Sequence, residues 1–320
     1  MKTNIMLTVL LTVSAALAFS TGTAETTTAV ERTGILVEHA GGETDVMVPA
    51  ERVVALEWTY AEDLLAVGVE PVGVADVAGY QTWVNVEPGL SDDVTDVGRR
   101  QEPSLEAIAE LEPDLIIGVA FRHAPIYDQL SQIAPTILFN PYPAEGDQYE
   151  EMVTTFRTIA QTVDRQEEAA AVLGQTDALF AELATQIDAA GFAGEAFALA
   201  QAFTSQGAPQ IRLFTDNAMA VQIVERLGLP NAWDDGFQQY GFTTAGFEAL
   251  TQLGNAHFFY VVQDQDDVFD AAAGNELWES LEFVQNGRTY ALGGGTWLFG
   301  GPLSAQLLAR TVADQLTSRQ

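Results

Sequence analysis

Ser104-Leu-Glu-Ala-Ile-Ala-Glu-Leu-Glu-Pro-Asp-Leu-Ile-Ile117 aligns without a gap on Gly246-Phe-Glu-Ala-Leu-Thr-Gln-Leu-Gly-Asn-Ala-His-Phe-Phe259. Each stretch reads as a short amphipathic helix, a turn and a buried strand. Apolar positions coincide, Leu105 with Phe247, Ile108 with Leu250 and Leu111 with Leu253, and Glu106 falls on Glu248. Recurrence of a whole helix, turn and strand in the two halves of one chain implies two lobes of related build. A cleft between such lobes is a common place for a small-molecule site.

Working outward from the first copy, strands are expected at Arg52-Val-Val-Ala-Leu, Pro71-Val-Gly-Val-Ala, Leu115-Ile-Ile-Gly-Val and Thr136-Ile-Leu-Phe. Helices at about Tyr60 to Val67, Ser104 to Leu111 and Ile126 to Ile133 separate them. Apolar strands alternating with short helices imply a parallel sheet covered on both faces. From Asp147 to about Ala190 the pattern becomes nearly continuous helix, with Asp164-Arg165 as a break. A second βα series follows from near Phe197, with strands at Ile211-Arg-Leu-Phe, His257-Phe-Phe-Tyr-Val-Val and Thr289-Tyr-Ala-Leu. The expected division is a signal peptide over 1–24, an N-terminal lobe over 25–145, connecting helices over 146–191 and a C-terminal lobe over 192–320.

Lys2, an apolar run from about Ile5 to Leu17 and small residues offering cleavage after Ala18 or Ala24 mark the signal peptide and point to export. No later run approaches the roughly 20 apolar residues of a membrane span. The 320-residue chain contains no cysteine, which removes disulfides, thiolate metal sites and the acylated cysteine of lipoproteins. A free, monomeric periplasmic protein is expected. Forty-five acidic residues stand against 13 basic ones, and the sole lysine is Lys2. Such an acidic surface suits a salty exterior and makes nucleic acid an unsuitable partner. Arginines retained in so acidic a chain carry more information than usual.

Signals for catalysis are sparse. His39, His123 and His257 are far apart in sequence, against a protein-built metal site. There is no P-loop and no Gly-x-Ser-x-Gly elbow. Glu57, Glu62 and Asp63 are carboxylates among many. Aromatic residues and arginines, by contrast, accumulate after strands: Trp58, Tyr80, Trp83, Arg99, Arg100, Arg122 and His123 in the first half, Arg212, Tyr240, Trp297 and Phe299 in the second. In open α/β sheets ligands sit beyond the carboxyl ends of strands. Flat aromatic walls with guanidinium forks suit a bulky anionic ligand.

With those residues in view, the chain resembles the ferric-siderophore branch of the ABC importer binding proteins, most of all its hydroxamate-binding members, from about Arg52 to Thr311. The stretches that carry the likeness are Arg52-Val-Val-Ala-Leu-Glu-Trp, Gly73-Val-Ala-Asp with Tyr80 and Trp83, Asp96-Val-Gly-Arg-Arg-Gln-Glu-Pro, Leu229-Pro-Asn-Ala-Trp and Trp297-Leu-Phe-Gly-Gly-Pro-Leu-Ser-Ala. The resemblance implies the class III substrate-binding fold: two Rossmann-like α/β lobes joined by a long backbone helix, around a shallow cleft that changes little on binding. It implies that Arg100 bonds the iron-chelating oxygens, and that Trp83, Tyr240, Trp297 and Phe299 line the cleft. Arg122-His123 depart from the pattern, standing where the hydroxamate binders have a ligand-bonding tyrosine. With Arg99 and Arg212, this departure makes a citrate-based or mixed carboxylate-hydroxamate siderophore plausible. Fe(III) would arrive already chelated, so no cofactor of the protein's own is expected. Glu106 and Glu248, one per lobe, would engage arginines of the two permease subunits. A cobalamin or haem carrier of the same fold is the alternative within the family. A siderophore esterase using Ser304 or Thr296 is the alternative outside it.

Overall fold

Residues 32–144 and 147–318 are described by the computed structural model; the expected signal peptide lies outside them. A hairpin of β1 (Thr33–His39) and β2 (Gly42–Val48) comes first, an element absent from the pattern read in the sequence. The first lobe then runs β3 (Val53–Ala55), α1 (Trp58–Ala66), β4 (Gly73–Val74), α2 (Val77–Trp83) and β5 (Thr95–Asp96). A small hairpin of β6 (Gly98–Arg99) and β7 (Glu102–Pro103) leads into α3 (Leu105–Glu110), β8 (Leu115–Val119), α4 (Ala120–His123), α5 (Tyr127–Ser131) and β9 (Thr136–Phe139). The sheet is parallel, in the order β5-β4-β3-β8-β9.

Both faces of that sheet are covered, which explains why β8 and β9 are unbroken apolar runs. Alternation divides their side chains between two cores. Val53, Ala55, Leu115 and Ile117 face the large core, whereas Val54, Leu56 and Ile116 pack with Ile108 and Leu130 on the outer face.

The helical segment is two helices, parted at the Asp164-Arg165 break read in the sequence. α6 (Gln148–Thr162) starts at Asp147, whose carboxylate accepts from the N–H groups of Tyr149 at 2.8 Å and Glu150 at 3.1 Å. It ends where Asp164 turns left-handed at φ 55°, and α7 (Gln166–Ala189) begins two residues later. Ala169, Leu173, Thr176, Phe180, Leu183 and Ile187 form one stripe on α7 at helical spacing.

The second lobe comprises β10 (Phe197–Ser205), β11 (Ala208–Phe214), α8 (Met219–Arg226), β12 (Phe242–Ala245), a 3-10 helix at Phe247–Leu253, β13 (His257–Val261), α9 (Glu276–Ser280), α10 (Glu282–Gln285), β14 (Thr289–Ala291) and α11 (Pro302–Thr317). Its order, β12-β11-β10-β13-β14, repeats that of the first lobe position for position. The repeat seen in the sequence therefore occupies equivalent places, with β8 and β13 parallel to both of their neighbours.

Two differences correct the expected βα series. β10 and β11 are an antiparallel hairpin, because Gln206 at φ 51° and Gly207 at φ 78° form a two-residue turn that needs positive φ at both positions. The second copy of the repeat helix is 3-10 rather than α. Ser104 caps α3 by accepting from the Ala107 N–H at 3.2 Å, and Gly246 has no side chain to do the same.

One apolar core runs through both lobes, joining Leu64 of α1, Phe156 of α6, Phe180 of α7, Phe259 of β13 and Leu308 of α11. Polar pins cross the same boundary. Glu62 of α1 accepts from the backbone N–H and hydroxyl of Ser304 at 2.8 and 2.6 Å, capping α11. Thr59 donates to the Phe299 carbonyl at 2.6 Å, and the Asn85 N–H to the Gly295 carbonyl at 3.1 Å. A Cβ at Gly300 or Gly301 would collide with Glu62, Asp63 or Ser304, so this crossing requires glycine. Among the described residues no helix is long and apolar enough to cross a membrane.

Candidate functional site

A cavity of about 430 Å³ lies between the lobes, within the range of small-molecule sites. Its centre is a buried carboxylate. Glu57 sits between β3 and α1, where the chain leaves the carboxyl end of the strand and its side chain caps α1. One Glu57 oxygen accepts from Arg100 Nη1 at 2.6 Å and the other from Arg122 Nη1. Arg100 arrives from the β6–β7 hairpin, and Arg122 follows β8 on α4. The Arg100 guanidinium lies 3.4 Å above the Trp58 ring, a cation–π contact that fixes its plane. Arg122 lies over Phe121 at 4.6 Å.

His123 stands behind this pair. Its Nδ1 accepts from the Val119 N–H at 2.9 Å, so the ring proton is on Nε2, which donates to the Arg100 carbonyl at 2.8 Å. Burial holds its pKa below the ordinary histidine value, keeping the ring neutral. The neutral ring ties the Arg100 hairpin to the end of β8.

The opposite wall comes from the second lobe. Arg212 of β11 donates to Gln201 at 2.9 Å and lies between Phe203 and Phe242, at 5.0 and 4.7 Å. Desolvation lowers its pKa, with Tyr142 opposing the shift. Burial in turn pushes the Tyr142 hydroxyl up, and Glu57 adds to the effect against the arginines. Phe121, Tyr142 and Tyr240 meet across the mouth at centroid distances of 5.2 to 6.2 Å. Trp297 packs edge-on against Trp58 at 5.2 Å and against Phe299 at the same distance.

Of the residues singled out in the sequence, Arg100, Arg122, Arg212, Tyr240, Trp297 and Phe299 line the cavity. The other five are placed elsewhere. Arg99 is three-quarters exposed and pairs across the β6–β7 hairpin with Glu102 at 2.6 Å, whereas Arg100 lies in the turn of that hairpin. His123 and Tyr80 are buried in the protein rather than in the cleft. Trp58 lies beneath Arg100, and Trp83 supports Trp297 at 6.3 Å. Glu57, Phe121, Tyr142 and Phe242 line the cavity without having been singled out as ligand contacts. Tyr142 and Phe121 follow β9 and β8, so the rule of strand carboxyl ends identifies them once the strands are known.

The hydroxyls named for an esterase are engaged in structure: Ser304 bonds Glu62 and Thr296 bonds the Leu292 carbonyl at 2.6 Å. His257 is buried against Glu195 and Tyr290, at 2.8 and 3.0 Å. Among the described residues no three His, Cys, Asp or Glu side chains are grouped so as to hold a metal ion.

A cleft walled by one lobe on each side, rimmed with rings and lined with guanidinium groups, is the site of a solute receptor. The chain belongs to the periplasmic binding protein family, whose signature spans residues 53–295. It is 31% identical to the iron(3+)-hydroxamate-binding protein FhuD of Escherichia coli, over 84% of this chain and 88% of that one. It is 29% identical to the Fe(3+)-citrate-binding protein YfmC of Bacillus subtilis, over 89% and 86%. The crystal structure of FhuD from Vibrio cholerae with Fe3+-Desferal superimposes with a TM-score of 0.76 at 26% identity, covering 84% of this chain and 98% of that one.

Proposed function

We propose that the protein captures a ferric siderophore between its lobes and presents it to the permease of an ABC importer. The observation that carries this reading is the pair Arg100 and Arg122 held on Glu57, with Arg212 facing them across an aromatic cavity. Arg100, Arg122 and Arg212 bring three guanidinium groups into this lining, and their planar forks suit the oxygens around chelated iron. Rings along both walls cover the ligand's apolar parts. Iron already sequestered by its chelator needs recognition of the organic shell alone. A hydroxamate or a citrate-type carboxylate siderophore fits, as in the two relatives named above. The extra arginines favour the more anionic of these. Capture would take place in the periplasm by a monomer released from its signal peptide.

Glu106 and Glu248 support the docking step. Both are exposed in the first turns of equivalent helices, one preceding β8 and the other β13. Each would meet an arginine of one permease subunit. The test of capture is a titration of tryptophan fluorescence with ferric hydroxamate, citrate-type and catecholate chelates, alongside cobalamin and haem. A coloured chelate between Trp297 and the first-lobe wall should quench strongly. Absence of quenching by every ferric chelate refutes the reading, and selective quenching by cobalamin or haem replaces it.

A further inference from the structure

We propose that the inner end of the cleft is a subsite for a protonated amine, so that the ligand carries an ammonium-bearing arm in addition to its chelating oxygens. The inference deepens the siderophore reading and rests on it. Two helix faces build this floor. α1 contributes Thr59, Tyr60 and Asp63, and α6 contributes Gln148, Glu151, Met152 and Thr155, each set at helical spacing.

Asp63 is wholly buried and lines the cavity, yet neither carboxyl oxygen has a hydrogen-bond partner among the described residues. The same holds for the buried hydroxyl of Tyr60. Glu151 lines the same region and, among the described residues, accepts a side-chain hydrogen bond only from Thr155, at 3.3 Å. Glu62 next to Asp63 is different, since Ser304 engages both of its oxygens.

A buried carboxyl with no partner is costly, and its presence in a ligand cavity points to an occupant that supplies the donors. Among the described residues the arginines of this lining are engaged elsewhere, Arg100 and Arg122 by Glu57 and Arg212 by Gln201. An ammonium group has three donors and a positive charge, matching two carboxyls and a phenol oxygen. Burial, with Glu62 adding to it, raises the pKa of Asp63 well above the ordinary carboxylate value, and burial raises that of Glu151 against the bond from Thr155. The cavity is thus bipolar, with Arg100, Arg122 and Arg212 in one part of its lining and Asp63 and Glu151 on the α1 and α6 faces.

The test is calorimetric titration of the mature chain with ferric Desferal, which has a free terminal amine, and with its N-acetylated derivative, which has the same chelate and no charge on that arm. The expected result is roughly tenfold or tighter binding of the amine form, as for a charge-assisted contact. Asp63→Asn should bring the two affinities to within about twofold, and Glu151→Gln should narrow the gap. Equal or tighter binding of the acetylated form by the unaltered protein overturns the proposal, as does a preference that both substitutions leave intact. Should Asp63→Asn fail to fold by circular dichroism, an unchanged preference in Glu151→Gln overturns it. Binding of both chelates without preference removes the subsite and leaves the siderophore reading standing. Binding of neither overturns the subsite, and the siderophore reading then stands or falls on the full panel of ferric chelates.

Discussion

Replacing Arg100 by alanine separates ligand recognition from mere cleft architecture. The guanidinium donates to Glu57 at 2.6 Å and rests on Trp58 at 3.4 Å, so its position is set before any ligand arrives. A charge-assisted hydrogen bond from a group so placed is worth about 1.5–3 kcal/mol. At about 1.4 kcal/mol per decade, Arg100→Ala should weaken ferric-siderophore binding by roughly ten- to 150-fold. Arg100→Lys should recover only part of this, because an ammonium lacks the planar fork that stacks on Trp58 while bonding Glu57. Glu57 keeps Arg122 in the variant, so the fold should survive with a loss of about 1–3 kcal/mol, readable by urea unfolding. Affinity is measured by tryptophan quenching. Normal binding by Arg100→Ala, together with abolished binding by Arg122→Ala, would refute the assignment of Arg100 as the main anchor and transfer that role to Arg122.

Other substitutions test neighbouring parts of the account. His123→Ala strands the Val119 N–H and the Arg100 carbonyl, and should cost about 2–4 kcal/mol of stability by denaturant titration; a neutral result would show that the Arg100 hairpin needs no tether. Burial and the adjacent Glu62 raise the Asp63 pKa, so its contribution to stability is fully present below the ordinary carboxylate range and is lost as pH rises through the raised value. Asp63→Asn should therefore lose part of the wild-type gain in melting temperature on acidification from neutral pH, and identical pH profiles would contradict the buried, proton-bearing assignment. The double change Glu106→Ala with Glu248→Ala should leave siderophore affinity intact while impairing uptake in a reconstituted transporter; normal transport would reduce both residues to favourable charges at helix N-termini, worth about 0.3–1 kcal/mol each.

Sequence reading succeeded where the local pattern and the tertiary environment agree. β8 and β9 are readable because strands buried on both faces have no polar register to obscure, and the α6–α7 segment because its apolar stripe persists for many turns. The β10–β11 hairpin was hidden: Gln206-Gly207 is a weak turn signal, and the flanking residues do not alternate cleanly. Within the site, Arg99 and Arg100 could not be ranked, since which neighbour faces inward depends on the β6–β7 hairpin. Glu57 escaped notice as a ligand neighbour because 45 acidic residues make any one carboxylate unremarkable until two arginines converge on it. Tyr142 lies between two prolines in a loop, where periodicity conveys nothing.

The bonds of Thr59, Glu62 and Asn85 across the lobe boundary bear on how loading can be sensed. Wide hinging would strand the buried Glu62 carboxylate and uncap α11, at a cost of several kcal/mol that ligand contacts would have to exceed. Association should then proceed without a slow conformational step, with a rate governed by diffusion and the charge at the mouth. The scattering radius of the empty and loaded protein should be nearly the same. A transporter facing such a receptor cannot read a closed silhouette. On the proposed function, the signal of loading would then be the bound chelate itself, between the aromatic rims.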